Sequence, residues 1–172
     1  RVLAATACED ITLMDADSGE NLRKFLFTPC MNSSVAASPD GARVIGGGNM
    51  YMVMRRVETG EWLRAFDHSM FVTSVAFSPD GTRALCGVAR AGSGAAALWS
   101  MECRCQARRR EADVCLCREL LFLQGHRRSV DSVAFSADGR RLFTGSEDGT
   151  AKMWSAETGE CLLTFEGHTA AI

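Results

Sequence analysis

The sequence predicts an all-β chain built from four-stranded antiparallel meanders. Three observations carry that reading. First, one segment is written three times: Ser34-Val35-Ala36-Ala37-Ser38-Pro39-Asp40-Gly41, then Ser74-Val75-Ala76-Phe77-Ser78-Pro79-Asp80-Gly81, then Ser132-Val133-Ala134-Phe135-Ser136-Ala137-Asp138-Gly139. The copies start 40 residues apart (Ser34 to Ser74) and then 58 apart (Ser74 to Ser132). A fixed period of this size marks one supersecondary unit repeated in tandem. Second, short apolar runs alternate with clusters of turn residues throughout. Third, no segment between those breaks holds the 3.6-residue apolar period of a helix.

The last full copy shows each element in order. Val133-Ala134-Phe135 is a short apolar strand. Ser136-Ala137-Asp138-Gly139 is a turn, and the two earlier copies place Pro at its second position, as a type I turn favours. Arg141 to Gly145 is a second strand, punctuated by Glu147-Asp148-Gly149. Thr150 to Trp154 alternates small or polar with apolar residues as a third. Glu157-Thr158-Gly159-Glu160 turns the chain into a fourth, Cys161 to Phe165, closed by Gly167-His168. Four short strands joined by tight turns make an antiparallel meander.

Composition fits a packed protein: 172 residues, 47% hydrophobic and 23% charged. A net charge of −2 gives no global pull toward nucleic acid or membrane. No apolar run approaches the roughly 20 residues of a transmembrane helix, and no secretory leader opens the sequence. Of eight cysteines, Cys8, Cys30, Cys86 and Cys161 stand singly, mostly in apolar runs, and read as small buried hydrophobes. Nothing resembles a disulfide framework, so the expected setting is intracellular, cytoplasmic or nuclear.

The pairs Gly125-His126 and Gly167-His168, the turn Asp148-Gly149-Thr150 and the ending Met153-Trp154-Ser155 resemble the WD-repeat family of β-propellers. The Asp that usually follows the Trp is Ser here, at Ser100 and Ser155. The resemblance implies four-stranded blades around a central channel. Setting Met14 against Trp154 aligns residues 1 to 20 with 141 to 160 without a gap. On that register the expected organisation is a partial propeller: an incomplete first blade (1–27), a second (28–67), a third (68–125), a fourth (126–167) and a stub (168–172). The chain then reads as a fragment, expected to behave poorly alone unless further blades or a second copy complete the ring.

The resemblance also implies a structural hydrogen-bond network of His, Ser or Thr, Asp and Trp. Carried onto this sequence, the full set is His126, Ser146, Asp148 and Trp154, with His68 and Trp99 as a partial set in the third blade. Buried indole and imidazole nitrogens need partners, which gives the set a structural purpose. No nucleophile with a paired base accompanies it, so no catalytic residue and no cofactor is expected. Towards the N-terminus the set decays: Arg55 and Met14 stand where Trp would be. Gly46-Gly47-Gly48 and Gly92-Ser93-Gly94 precede no helix and lack the Gly-Lys-Ser/Thr of a nucleotide loop, so they read as turns.

Residues 103–117 replace a two-residue turn in the third blade. They hold Cys103, Cys105, Cys115 and Cys117 around Arg108, Arg109 and Arg110. Four thiolates could hold a tetrahedral zinc. Cys-x-Cys pairs bite less readily than Cys-x-x-Cys, and the first reading is a surface loop with no metal, the zinc site and a contact for an acidic partner being lesser alternatives.

The favoured function is a protein–protein interaction scaffold. By resemblance, protein or peptide partners dock on one rim at Met31, Ser33, Phe71, Thr73, Ser129, Asp131 and Glu147. The alternative is a non-catalytic propeller segment of a larger enzyme or regulatory chain. Nucleic acid finds support only in the basic insert.

Overall fold

Antiparallel hairpins build the framework of the described residues, because each repeat supplies a strand, a tight turn and a strand in succession. The computed structural model describes residues 2–5, 11–25, 34–49, 51–67, 70–90, 93–102 and 118–168. The described residues form four sheets. The first has three strands: β1 (Val2–Ala5), β2 (Ile11–Met14) and β3 (Asn21–Phe25). The second has β4 (Ser34–Ala37), β5 (Arg43–Gly47), β6 (Tyr51–Arg56) and β7 (Trp62–Asp67). The third has β8 (Phe71–Phe77), β9 (Arg83–Arg90), β10 (Ser93–Ser100) and β11 (Glu119–His126). The fourth has β12 (Val130–Phe135), β13 (Arg141–Ser146), β14 (Ala151–Ser155) and β15 (Cys161–Phe165). In each sheet the strands lie in chain order, every neighbour antiparallel.

The thrice-written segment forms the same turn each time. Gly41, Gly81 and Gly139 donate backbone N–H bonds to the carbonyls of Ser38, Ser78 and Ser136 at 2.8, 2.9 and 2.9 Å. Each glycine sits at φ near +68°, in the left-handed region that side chains avoid. The turn Asp caps the loop. Asp80 accepts from the Ser78 hydroxyl and the Thr82 amide, and these bonds hold its carboxyl at about 2. A second repeated turn closes the third hairpin of the repeat. Ser155 donates to Glu160 at 2.9 Å, as Arg56 does to Glu61. In the third sheet the same bond runs from Ser100 to Arg118 at 3.1 Å, so the hairpin closes normally at the base of residues 103–117.

Successive sheets pack face to face. The forward face of the second sheet (Ile45, Met54, Phe66) meets the rear face of the third (Val75, Cys86, Trp99). The forward face of the third (Leu85, Leu98, Leu123) meets the rear face of the fourth (Val133, Leu142, Trp154). The first meets the second through Ile11 and Leu13 against Val44 and Val57. Burial at these faces is the main stabilising term, at roughly 25 cal/mol per Å² of apolar surface.

Two polar contacts recur at these junctions with the same register. Ser34 Oγ accepts from the Val75 amide at 3.1 Å, and Ser74 Oγ from the Val133 amide at 3.3 Å. Arg43 donates to the Gly81 carbonyl at 3.1 Å and lies over Phe77, 5.7 Å from the ring centre. Arg83 repeats this one sheet later, 2.8 Å from the Gly139 carbonyl and 5.8 Å from the Phe135 ring. The Ser of the repeated strand and the Arg of the next strand thus lock the second sheet to the third and the third to the fourth.

Two sequence expectations are corrected here. The glycine runs are not simply turns. Gly46 and Gly47 lie in β5 and Gly94 lies in β10. A Cβ on Gly94 would stand 1.8 Å from the Arg128 carbonyl oxygen, and one on Gly47 would stand 2.4 Å from Val72 Cγ1. They are bare because the next sheet's backbone or side chains press against them. The first strand of the repeat is also longer than Val133 to Phe135. It starts at Val130, because a bulge after Val130 lets pairing with β13 resume at Ser132.

Candidate functional site

A buried relay links the end of β11 to β13 and β14. His126 is the last residue of β11, so it closes the third sheet, and its imidazole reaches into the fourth. Its Nε2 lies 2.7 Å from Thr144 Oγ1, and its Nδ1 lies 3.0 Å from Asp148 Oδ2. Trp154 Nε1 donates to Thr144 Oγ1 at 2.9 Å. Asp148 also accepts from the Arg127 amide at 2.8 Å and from the Thr150 amide and hydroxyl at 3.0 and 2.6 Å. The expected hydroxyl, Ser146, is elsewhere. It donates to the Arg128 carbonyl and accepts from the Asp148 amide. The hydroxyl in the relay is Thr144, because only its depth in β13 brings it level with both Trp154 and His126.

The donors and acceptors fix the direction of the chain. Trp154 can only donate, so the Thr144 oxygen accepts from it. The Thr144 hydroxyl proton is then free to point at His126 Nε2, which must be bare. The imidazole proton therefore sits on Nδ1 and is donated to the Asp148 carboxylate. Burial lowers the His126 pKa more than Asp148 raises it. Burial would raise Asp148, yet the bonds from Thr150 and Arg127 outweigh that and hold its carboxyl far below the usual range. The relay is thus a neutral imidazole against a fixed carboxylate, a strut with no reacting group.

Acid should weaken it in a definite order. Unfolded histidine takes up a proton near pH 6.5 while folded His126 resists, so stability is lost as the pH falls below that value. Unfolded aspartate protonates near 3.8 while folded Asp148 stays charged, so a second loss begins below that pH. Melting temperature measured against pH at constant ionic strength should decline in both windows. In His126→Gln the upper decline should flatten.

Part of the chain matches the family model described as "WD domain, G-beta repeat", over residues 60–100 and 117–155. Each stretch runs through the last strand of one sheet (β7, β11) and the first three strands of the next (β8 to β10, β12 to β14). The chain has the WD-repeat propeller fold. It is 45% identical over 47 residues to human WD repeat-containing protein 86, covering 27% of this chain and 12% of that relative. It is 50% identical over 46 residues to Periodic tryptophan protein 2 of Saccharomyces cerevisiae, covering 27% and 5%. It is 40% identical over 52 residues to eukaryotic translation initiation factor 3 subunit I of Xenopus tropicalis, covering 30% and 16%. The chain therefore matches only a small part of each curated relative's length.

The other WD-repeat units settle the Trp position differently. In the third sheet Trp99 is buried against Phe66, ring centres 5.7 Å apart, edge to face. Cys86 stands where Thr144 stands in the fourth, and its thiol donates to the Ala97 carbonyl at 3.6 Å. Burial pushes that thiol up to about 12, so it stays protonated and unreactive. In the second sheet Arg55 takes the place of Trp. Its guanidinium lies 5.0 Å from the Trp62 ring centre and donates to the Gly60 carbonyl at 2.9 Å. His68 lies outside the described residues.

The residues expected on the rim separate into two groups. Thr73 and Asp131 occupy the bulges of β8 and β12, where two residues oppose one and a side chain is re-aimed. Both lie inside strands. Thr73 spends its hydroxyl on the Val130 carbonyl, so it ties the third sheet to the fourth. Asp131 is exposed. Partial burial and the charge of Glu147 raise its pKa. Glu147, also exposed, is held by its amide to the Ser129 carbonyl at 3.0 Å. Phe71 opens β8 opposite Ala89 and is half-buried. Met31 and Ser33 lie outside the described residues, as do Cys103, Cys105, Cys115 and Cys117. Among the described residues no three His, Cys, Asp or Glu side chains gather as a metal ion would need. Among them, too, no helix is long and apolar enough to cross a membrane.

The signal that would have found Thr144 was weak. Thr144 and Ser146 are two apart on one strand and so share a face, and alternation alone does not separate them.

Proposed function

We propose that this chain contributes a docking rim to a propeller that holds protein or peptide partners. The contact would run across the edge of the third and fourth sheets, through Phe71, Ser129, Asp131 and Glu147. Met31 and Ser33 would extend it along the second. Thr73 is left out, since its hydroxyl is engaged with Val130. The observation that carries this reading is the paired carboxylates. The bulge turns Asp131 outward beside Glu147, close enough for one charge to raise the other's pKa. Asp148 and its relay stiffen the turn that carries Glu147. Two near carboxylates on a rigid edge favour a partner that brings Lys or Arg, and the half-buried Phe71 ring adds apolar contact.

A peptide array probed with the purified chain tests it. Bound peptides should be enriched in Lys or Arg. Glu147→Lys and Phe71→Ala should each weaken them at least about tenfold, equivalent to ~1.4 kcal/mol, with little change in melting temperature. Binding that survives both substitutions, or a large fall in melting temperature for Phe71→Ala, would count against the proposal.

A further inference from the structure

One corner of the third sheet is short of side-chain volume. β10 reads Gly94-Ala95-Ala96-Ala97 before it reaches Trp99. Counted back from the shared Trp position, Ala95 stands where Tyr51 stands in the second sheet, and Ala97 where Val53 stands. The large residue is on the partner strand instead. Ala97 pairs with Phe122, whereas Val53 pairs with Ala65 and Lys152 with Thr164. The Phe122 ring does not close the gap, and it is 38% exposed. A hollow of about 150 Å³ remains, walled by Met70, Ser93, Gly94, Ala95, Phe122 and Gln124. That volume holds one apolar group the size of a benzene ring. Ser93 and Gln124 are exposed at its mouth, and among the described residues neither side chain has a hydrogen-bond partner.

Gly94 is the thin wall between this hollow and the acidic edge. Ala95 belongs to the rear face of the third sheet, and pairing places Phe122 and Gln124 on that face with Ala97 and Ala95. The backbone of Arg128 and Val130, from the fourth sheet's side, lies against the other face of Gly94. Asp131 follows Val130, and Glu147 is near enough to raise its pKa. Arg127 and Arg128 are exposed in the same connection, yet among the described residues neither carboxylate is ion-paired.

We infer that the hollow receives a large apolar side chain from the same protein partner whose Lys or Arg meets Asp131 and Glu147, a reading that rests on the docking edge proposed above. The partner segment carries Leu, Met or Phe within a few residues of a Lys or Arg. Charge complementarity holds one end of it and the hollow holds the other. The entering side chain leaves water for Met70, Ala95 and Phe122. Ser93 and Gln124 supply free donors and acceptors for the segment's main chain.

A positional peptide library tests this, with one Lys or Arg fixed and every residue type scanned at each neighbouring position, probed with the purified 172-residue chain. Leu, Met or Phe should be preferred over Ala by about tenfold at one position. Ala95→Leu fills the hollow and should abolish that preference while the need for Lys or Arg persists. Phe122→Ala removes one wall at an exposed site. It should do the same with little change in melting temperature, and it gives the reading if Ala95→Leu does not fold. Two results overturn the inference and leave the docking edge standing: bound peptides that need Lys or Arg but are indifferent to its neighbours, or an apolar preference that survives both substitutions. Peptides bound with no preference for Lys or Arg overturn both.

Discussion

Gly94→Val should cost about 3 kcal/mol and lower the melting temperature by roughly 6–12 °C. Valine is a good strand residue, and Gly94 lies in β10, paired with Ala89 and, beside a register shift, with His126. Propensity alone therefore predicts a gain. The packing predicts the reverse. A Cβ there would meet the Arg128 carbonyl oxygen at 1.8 Å, its carbon at 2.7 Å and the Val130 nitrogen at 2.9 Å. All three are backbone atoms, so no side chain can swing aside. The segment they belong to carries the chain from the third sheet into the fourth, so moving it also displaces His126 from Thr144. Ser93→Val is the matched control. Ser93 is the adjacent residue of the same strand and is exposed, and its change should be near neutral. Thermal melts of the two variants, run side by side, check the claim.

Thr144→Val should cost about 3 kcal/mol with almost no change in volume. The methyl that replaces the hydroxyl strands two buried nitrogens at once. Trp154 Nε1 loses its acceptor and His126 Nε2 loses its donor, and each unsatisfied group costs about 1–3 kcal/mol. Thr144→Ser keeps the oxygen and should recover most of the loss. Ser146→Ala should cost less, about 1 kcal/mol, since its hydroxyl lies outside the relay and serves Arg128 and Asp148. Equal losses for Thr144→Val and Ser146→Ala in chemical denaturation would show that the relay has been traced through the wrong hydroxyl.

Much of this architecture is legible in the sequence because turn chemistry and strand alternation are local. Asp-Gly in each repeated segment demands a left-handed glycine, and the structure has one at Gly41, Gly81 and Gly139. The Asp17 to Glu20, Glu58 to Glu61 and Glu157 to Glu160 segments share one turn for the same reason. What escaped depends on neighbours distant in the chain. The bulges at Thr73 and Asp131 are set by register against β9 and β13, and no residue type marks them. Gly94 looks like a loop glycine until the Arg128 carbonyl is laid over it. The Arg43 and Arg83 clamps join residues 38 and 56 positions apart, so an arginine at a strand start gives no hint of the glycine carbonyl it will find. Cys86 and Thr144 occupy the same place in successive repeats, yet one is a thiol facing an indole and the other the centre of a relay.

The most direct measurement is the protonation pattern of His126 in the intact chain, read from long-range proton–nitrogen NMR at neutral pH. The relay predicts a proton on Nδ1, a bare Nε2, a Trp154 indole proton protected from exchange, and an imidazole that takes up its proton below pH 6.5. A proton on Nε2, or titration at the value of a free imidazole, would contradict it.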